Sequence, residues 1–126
     1  MTDQKPWLKF YGDVPESLTY PEVTLHQALM QTVAADPDAV AYDFFDTIGT
    51  YGAFARQIDA VAAGLARIGL KAGDRITIAM PTTPQGLIAF YAANKLGAVA
   101  CMIHPLSTPT EIAGYLGAHP HLRWTG

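Results

Sequence analysis

The stretch that most constrains the fold runs from Gly73 to Leu106. Two short apolar runs, 75–80 and 98–103, flank a segment with helical features, and neither run alternates polar with apolar residues. Strands of that kind occur where helices cover both faces of a sheet. Two such strands joined by one helix form a β-α-β unit with parallel strands and a right-handed crossover. The stretch therefore predicts an α/β fold built on a parallel β-α-β unit.

The segment between the two runs carries the start and stop signals of a helix. Pro84 suits the first turn, where its missing N–H costs nothing, and Thr82 or Thr83 can cap the free amides. Gly97 then ends the helix after Leu96. The clearly polar residues from 85 to 96 are Gln85, Asn94 and Lys95. A helix this apolar requires cover on more than one side.

Two further helices are predicted ahead of this unit. A capping-box pattern from Thr24 to Gln27 opens the first, which stops at Asp36 and Pro37. Its apolar stripe consists of Leu25, Leu29 and Val33. Gly69 is the predicted C-cap of the second helix. The stripe of the second helix consists of Phe54, Ile58, Val61, Leu65 and Ile68, and it predicts core packing.

The remaining elements are a hairpin and a last helix. A half-covered strand is predicted at 39–45, followed by a turn at 46–49 and a short return strand at 50–51. After the central unit, a capping box of Thr108 with Glu111 and Pro109 at the first helical position predict a helix that continues to Gly117 or Pro120.

These segments predict a three-part organisation. An extended arm with four aromatic residues occupies 1–22 and is expected to lie on a protein surface, because disordered tails are poor in aromatic residues. The α/β domain occupies 23–118. An irregular tail at 119–126 follows it.

Composition excludes several classes of partner. Only 15% of the residues are charged and the net charge is −3, so the chain has no basic footprint for nucleic acid. No stretch approaches the roughly 20 apolar residues of a membrane span, and the N-terminus does not resemble a signal peptide. We therefore expect a cytoplasmic protein. The low charge and the apolar helix together predict exposed apolar surface, and with it a homo-oligomer or exchange of the arm between copies.

Histidine and cysteine give no strong candidate for a site. His26 lies off its helical stripe, which predicts a solvated side chain. Cys101 lies in the middle of an apolar strand, where a buried, unreactive thiol is expected. The candidate metal cluster, for zinc, is His104, His119 and His121. Because it has no acidic neighbour, ordinary exposed histidines are the favoured interpretation, and we predict no metal site.

The motifs of nucleotide and hydrolase chemistry are absent from the sequence. It contains no G-x-x-x-x-G-K-[ST] loop, no G-x-G-x-x-G loop and no G-x-S-x-G elbow. This absence argues against a flavodoxin-like nucleotide binder.

Several segments, taken in order, resemble the beginning of an AMP-forming acyl-CoA synthetase. T-Y-G-A-F at 50–54 is similar to the T-Y-x-x-L motif of that family, and K-A-G-D-R at 71–75 with Pro81 is similar to K-x-G-D-R-V…P-N. L-G-A-V at 96–99 and H-P-L-S-T-P-T-E at 104–111 resemble K-A-G-A…N-P-L-Y-T-P-x-E. The arm resembles that of the long-chain fatty acid branch through Trp7, Tyr11, Val14, Pro15, Tyr20 and Pro21. The resemblance reaches to about Leu116.

Two residues depart from the family pattern. Thr82 stands where Asn usually follows the proline, and His104 stands where Asn usually precedes Pro-Leu. Both changes fall at strand ends and affect hydrogen bonding in loops.

The resemblance implies a three-layer α/β domain, of which this chain is the incomplete N-terminal part. Full-length relatives use ATP, Mg²⁺ and CoA to convert an acid to acyl-CoA, AMP and pyrophosphate. Their phosphate loop, ribose-binding Asp and catalytic Lys come later in the chain and have no counterpart here. We therefore assign no catalytic, cofactor-binding or metal-binding residue to this sequence, and we expect no ligase activity. The alternative is a stand-alone, non-catalytic α/β binding or interaction module.

Overall fold

The structure is a computed structural model that describes residues 5–118. After a 3-10 helix at Leu8–Phe10, the elements in chain order are α1 (Leu25–Ala35), β1 (Val40–Phe44), β2 (Thr47–Thr50), α2 (Tyr51–Arg67), β3 (Arg75–Ile78), α3 (Pro84–Lys95), β4 (Val99–Met102) and α4 (Pro109–Ala118). Within the described part of the chain, no helix combines the length and the apolar character needed to cross a bilayer.

The predicted parallel β-α-β unit is confirmed. β3 and β4 pair in parallel, with Arg75 opposite Val99 and Ile78 opposite Met102, and α3 connects them. Each strand is shorter than the apolar run that predicted it. β1 and β2 form a separate antiparallel pair.

The caps of α3 are those that the sequence indicates. The Thr83 hydroxyl accepts a hydrogen bond from the Gly86 N–H at 3.3 Å, and Pro84 is the first helical residue. After the helix, Gly97 has φ +72°, a backbone conformation that disfavours other residues. A Cβ there would also lie 3.2 Å from the Ala72 Cβ. The chain therefore turns sharply enough to place β4 directly beside β3.

The core lies mainly between α2 and α3. Ile58 and Ala92 have no exposed surface, and they pack with Leu29 of α1. The Phe54 ring makes edge contacts at 5.9 Å between centroids with both Tyr42 and Tyr91, which connects the hairpin to the two helices. A smaller cluster of Leu70, Ala93 and Ala98 links α3 to the start of β4.

The predicted hairpin is present, but its turn lies at different residues from those predicted. The turn consists of Phe45 and Asp46, both with positive φ (48° and 62°), rather than residues 46–49. Two residues with positive φ match the twist of a tight hairpin, although Phe is an unusual residue there. Thr50 ends β2 and caps α2, so the predicted return strand at 50–51 is also displaced.

The apolar stripes predicted for α1 and α2 are partly wrong. Leu25 is exposed although it was assigned to the apolar face of α1. Val61 is exposed on α2, and Ile68, which follows the last residue of α2, is also exposed. Ala55 and Ala62 are buried instead. Small residues occupy this face of α2 because α3 packs closely against it, which hydrophobicity spacing alone does not reveal.

The two ends of the described chain contribute little to the core. Trp7, Phe10 and Tyr20 are exposed, so the aromatic arm does not pack as expected. α4 begins at the predicted capping box, in which the Thr108 N–H donates to the Glu111 carboxylate at 2.7 Å. This bond is the main reason that the pKa of Glu111 lies below its usual value. α4 has no buried residue. The 119–126 tail lies outside the described residues.

We predict that Ile58→Ala lowers the free energy of unfolding by about 2 to 5 kcal/mol, because the side chain is fully buried between helices. The matched control is Ile48→Ala, whose side chain is 61% exposed and whose loss should cost less than about 1 kcal/mol. Urea unfolding followed by circular dichroism measures both. Equal effects would show that the core does not lie between α2 and α3.

Candidate functional site

A shallow cleft lies between the end of β1 and the start of α3. It has a volume of about 170 Å³ and is lined by Tyr42, Asp43, Phe44, Thr82, Thr83, Pro84 and Leu87. Two tertiary features form it: the aromatic contact that holds β1 on α2, and the Pro81–Thr83 loop that follows β3. The sequence motifs do not indicate this juxtaposition, because its two walls are about forty residues apart in the chain.

The polar groups of the cleft are few. The Thr83 hydroxyl is already engaged by the Gly86 N–H and by the Pro81 carbonyl oxygen. The Tyr42 hydroxyl donates to the Gln57 Oε1 at 3.4 Å. The Asp43 carboxylate and the Thr82 hydroxyl have no hydrogen bond among the described residues, so the family departure at Thr82 lies on the wall of this cleft. Ligand pockets usually measure about 300 to 1,000 Å³. The cleft is therefore too small to hold ATP or an acyl chain by itself.

His104, the second departure, makes the hydrogen bond that an asparagine makes in an Asx turn. Its Nδ1 accepts from the Leu106 N–H at 3.1 Å, two residues later, and the Ser107 N–H donates to the His104 carbonyl oxygen at 3.1 Å. Asn and Asp side chains commonly accept from the same backbone position. The substitution therefore preserves the acceptor that shapes the loop between β4 and α4.

Of the three histidines considered as zinc ligands, the described part of the chain contains one. His104 is exposed, while His119 and His121 lie outside the described residues. Among residues 5–118 there is no group of three potential metal ligands. Cys101 is only partly buried, contrary to the expected buried thiol. Ala100 packs towards α3, so the next side chain along β4 points to the opposite face of the sheet.

The prediction of a solvated His26 is wrong. Its backbone N–H donates to the Asn94 Oδ1 at 2.8 Å, which joins the start of α1 to the end of α3. The imidazole Nε2 is shielded from solvent and has no hydrogen-bond partner among the described residues. Beside it, the Lys95 Nζ and the Asp59 Oδ1 form an ion pair at 2.6 Å. The polar character of Asn94 and Lys95 is evident from the sequence, but no local pattern indicates their distant partners.

Burial, and secondarily the positive charge of Lys95, lower the pKa of His26, whereas Asp59 acts in the opposite direction. Burial dominates because an imidazolium without a hydrogen-bond acceptor loses hydration. The cluster of His26, Asn94, Lys95 and Asp59 therefore holds three helices together around a neutral imidazole. It contains no nucleophile with an activating base, and its arrangement supports a structural role.

The chain is similar to CoA ligases. Residues 29–119 match the family model described as AMP-binding enzyme. The chain is 34% identical over 113 residues to a long-chain-fatty-acid–CoA ligase of Bacillus subtilis (strain 168), covering 89% of this chain and 20% of the relative. It is 27% identical over 112 residues to a 4-coumarate–CoA ligase of Vanilla planifolia, covering 87% and 20%. The chain spans about a fifth of the length of these curated relatives.

Solved structures agree on the fold. The N-terminal subdomain of Klebsiella oxytoca NpsA, in complex with anthranilyl-AMSN, matches with a TM-score of 0.73 and 29% identity over 75% of this chain and 25% of that one. A benzoate CoA ligase from Burkholderia xenovorans LB400 matches with a TM-score of 0.73 and 25% identity over 80% of this chain and 20% of that one.

The pKa of His26 leads to a prediction about pH. Because the folded-state pKa is below the usual 6.5, the unfolded chain binds more protons as the pH falls. This contribution to stability is complete above about pH 6.5 and decreases as the pH falls through the folded-state value. Urea midpoints measured between pH 7.5 and 5 should therefore decline on the acid side.

The matched variants are His26→Gln and His104→Gln. The first should flatten that decline, whereas the second, at an exposed histidine, should leave it in place. If the two variants have the same pH profile as the unmodified chain, His26 does not cause the acid sensitivity.

Proposed function

The chain belongs to the AMP-binding enzyme family, and we propose that it forms the N-terminal part of the acid-activating domain of a fatty acid–CoA ligase. The observation that carries this proposal is the family match over residues 29–119 together with 34% identity to a long-chain-fatty-acid–CoA ligase. On this proposal the complete enzyme uses ATP, Mg²⁺ and CoA to convert the acid to acyl-CoA, AMP and pyrophosphate.

Within that enzyme, we assign the described residues a scaffolding role. Activation of a carboxylic acid by ATP depends on donors and cations aimed at the charge that develops on the transferring groups. Among the described residues, the polar side chains of the cleft end in a carboxylate and hydroxyl groups, and none of these supplies such a cation. We therefore propose that this chain alone does not catalyse acid activation.

The alternative function, a stand-alone binding or interaction module, has one observation in its favour. The helices α1, α2 and α3 close a core of their own around Ile58 and Ala92, so part of the chain satisfies its packing without further residues. Such a module would keep the fold without the chemistry.

We predict that the 126-residue chain, incubated with ATP, Mg²⁺, CoA and fatty acids of different lengths, releases no AMP above a heat-inactivated sample. The same assay with 4-coumarate tests the second acid class that is named among the relatives. AMP release that depends on the acid would contradict the assignment of a scaffolding role.

A chimera separates the ligase proposal from the stand-alone module. Residues 29–119 replace the matching segment of the Bacillus subtilis ligase, and AMP formation with a long-chain fatty acid is measured. We expect an active chimera, inactivated by Ala92→Arg at a fully buried position but not by Ala60→Arg at an exposed one. A folded but inactive chimera would contradict the proposal and favour the module.

A further inference from the structure

The loop between β4 and α4 is a turn held by two hydrogen bonds of different kinds. The Ser107 N–H donates to the His104 carbonyl oxygen at 3.1 Å, which closes a turn from His104 to Ser107. The Leu106 N–H donates to the His104 Nδ1, also at 3.1 Å. The first bond joins two backbone groups and is independent of pH. The second depends on the protonation state of an imidazole.

The imidazole of His104 is neutral in this arrangement. A neutral imidazole has one nitrogen that donates and one that accepts, whereas both nitrogens of an imidazolium carry a proton. Because Nδ1 accepts from Leu106, the proton of the neutral ring lies on Nε2. Histidine is the side chain that ordinarily changes its charge between about pH 5 and pH 8. Proton uptake at Nδ1 would set two N–H groups against each other, so the bond from Leu106 would break.

An asparagine at position 104 would make the same turn without this dependence on pH. Asn and Asp are typical first residues of such turns, and their side-chain oxygen accepts from the backbone two residues later. The Oδ1 of Asn occupies the same place along the side chain as the Nδ1 of His. An amide takes up no proton in this pH range. His104, which stands where Asn is usual in the family motif, therefore adds proton sensitivity to an otherwise ordinary turn.

A partner for the charged form of His104 lies in the first turn of α4. The Glu111 Oε2 accepts from the Thr108 N–H at 2.7 Å and from the Thr108 hydroxyl at 3.0 Å, whereas Oε1 accepts no hydrogen bond within residues 5–118. The pKa of Glu111 is lowered by the bond from the Thr108 backbone, then by its hydroxyl, and to a smaller extent by the charge of His104. β4 has no charged residue, and Glu111 is the single charged residue of α4. The carboxylate can therefore attract an imidazolium at position 104.

We propose that His104 is a proton-operated switch of the loop at 104–107. In the neutral state, Nδ1 holds the Leu106 N–H. A proton from solvent forms a bond to Nδ1, the hydrogen bond from Leu106 breaks, and the imidazolium turns towards the Glu111 Oε1. The bond from Ser107 remains, so the loop loosens without unfolding. The groups involved lie within residues 104–111, so the proposal does not rest on the proposed ligase function.

NMR spectra of the 126-residue chain between pH 8 and pH 5 test the proposal. At pH 8, long-range 1H–15N correlations should place the His104 proton on Nε2. On acidification the Leu106 amide proton should shift upfield with the same midpoint as the His104 ring protons. Its protection from hydrogen exchange should fall roughly two- to tenfold, as for the loss of one hydrogen bond. A proton on Nδ1 at pH 8, or a Leu106 amide that does not follow the His104 ring, overturns the proposal.

The matched variants are His104→Asn and His104→Ala. The first keeps an acceptor that does not titrate, so the Leu106 amide should stay protected at both ends of the pH range. The second removes the acceptor, so protection should be absent at both ends. A transition with the original midpoint in the Asn variant would overturn the proposal. Amide shifts of β3 and β4 establish that each variant folds, and if one does not, the ring proton and the midpoint in the unmodified chain decide the result.

Glu111→Gln tests the charged state. Glutamine can keep the capping bond with Thr108 but carries no charge. α4 has no buried residue, so the change should stay local. The Leu106 transition should move to lower pH by roughly 0.2 to 0.7 unit, the range that corresponds to an exposed ion pair. An unchanged midpoint would overturn the turn of the imidazolium towards Glu111.

Discussion

The rest of the structure depends on the close packing of α2 against α3. Small residues on both helices, including Ala62 and Ala92, are fully or almost fully buried and allow the two backbones to approach. Ile58 fills the space between them, and Phe54 extends the same face to Tyr42 in the hairpin. The position of β1, and with it one wall of the cleft, therefore follows from a helix–helix contact. A larger residue at Ala92 would displace both layers, because interiors packed at this density do not absorb added volume without strain.

The parts of the fold that the sequence predicts are those set by local chemistry. The Thr83 cap and the Gly97 turn depend on residues within a few positions of one another, and the parallel β-α-β unit depends on one continuous stretch of the chain; each is confirmed. The hairpin turn at Phe45 and Asp46 was missed because Phe is not a typical choice for positive φ, although Asp adopts it readily. The buried alanines of α2 were missed because hydrophobicity spacing favours large side chains over the small ones that permit close approach.

The polar contacts that join distant parts of the chain were less predictable from the sequence. His26 and Asn94 are separated by 68 residues, so no local pattern indicates that the amide oxygen receives the backbone N–H of α1. His104 is the opposite case. Its contact to Leu106 is local, and comparing the acceptor of histidine with that of asparagine accounts for the departure from the family motif. A substitution within a motif is therefore best judged by the hydrogen bond it can still make.

The two halves of the described chain differ in how far they satisfy their own packing. The helical half closes around a core, and its polar cluster has all but one nitrogen paired or solvated. The sheet half does not close: β3 and β4 form a two-stranded sheet on which α3 is the helix that packs. A two-stranded sheet is marginal by itself, and α3 contributes to both halves. It follows that loosening α3 would weaken the sheet and the helical core together, because this helix packs against both.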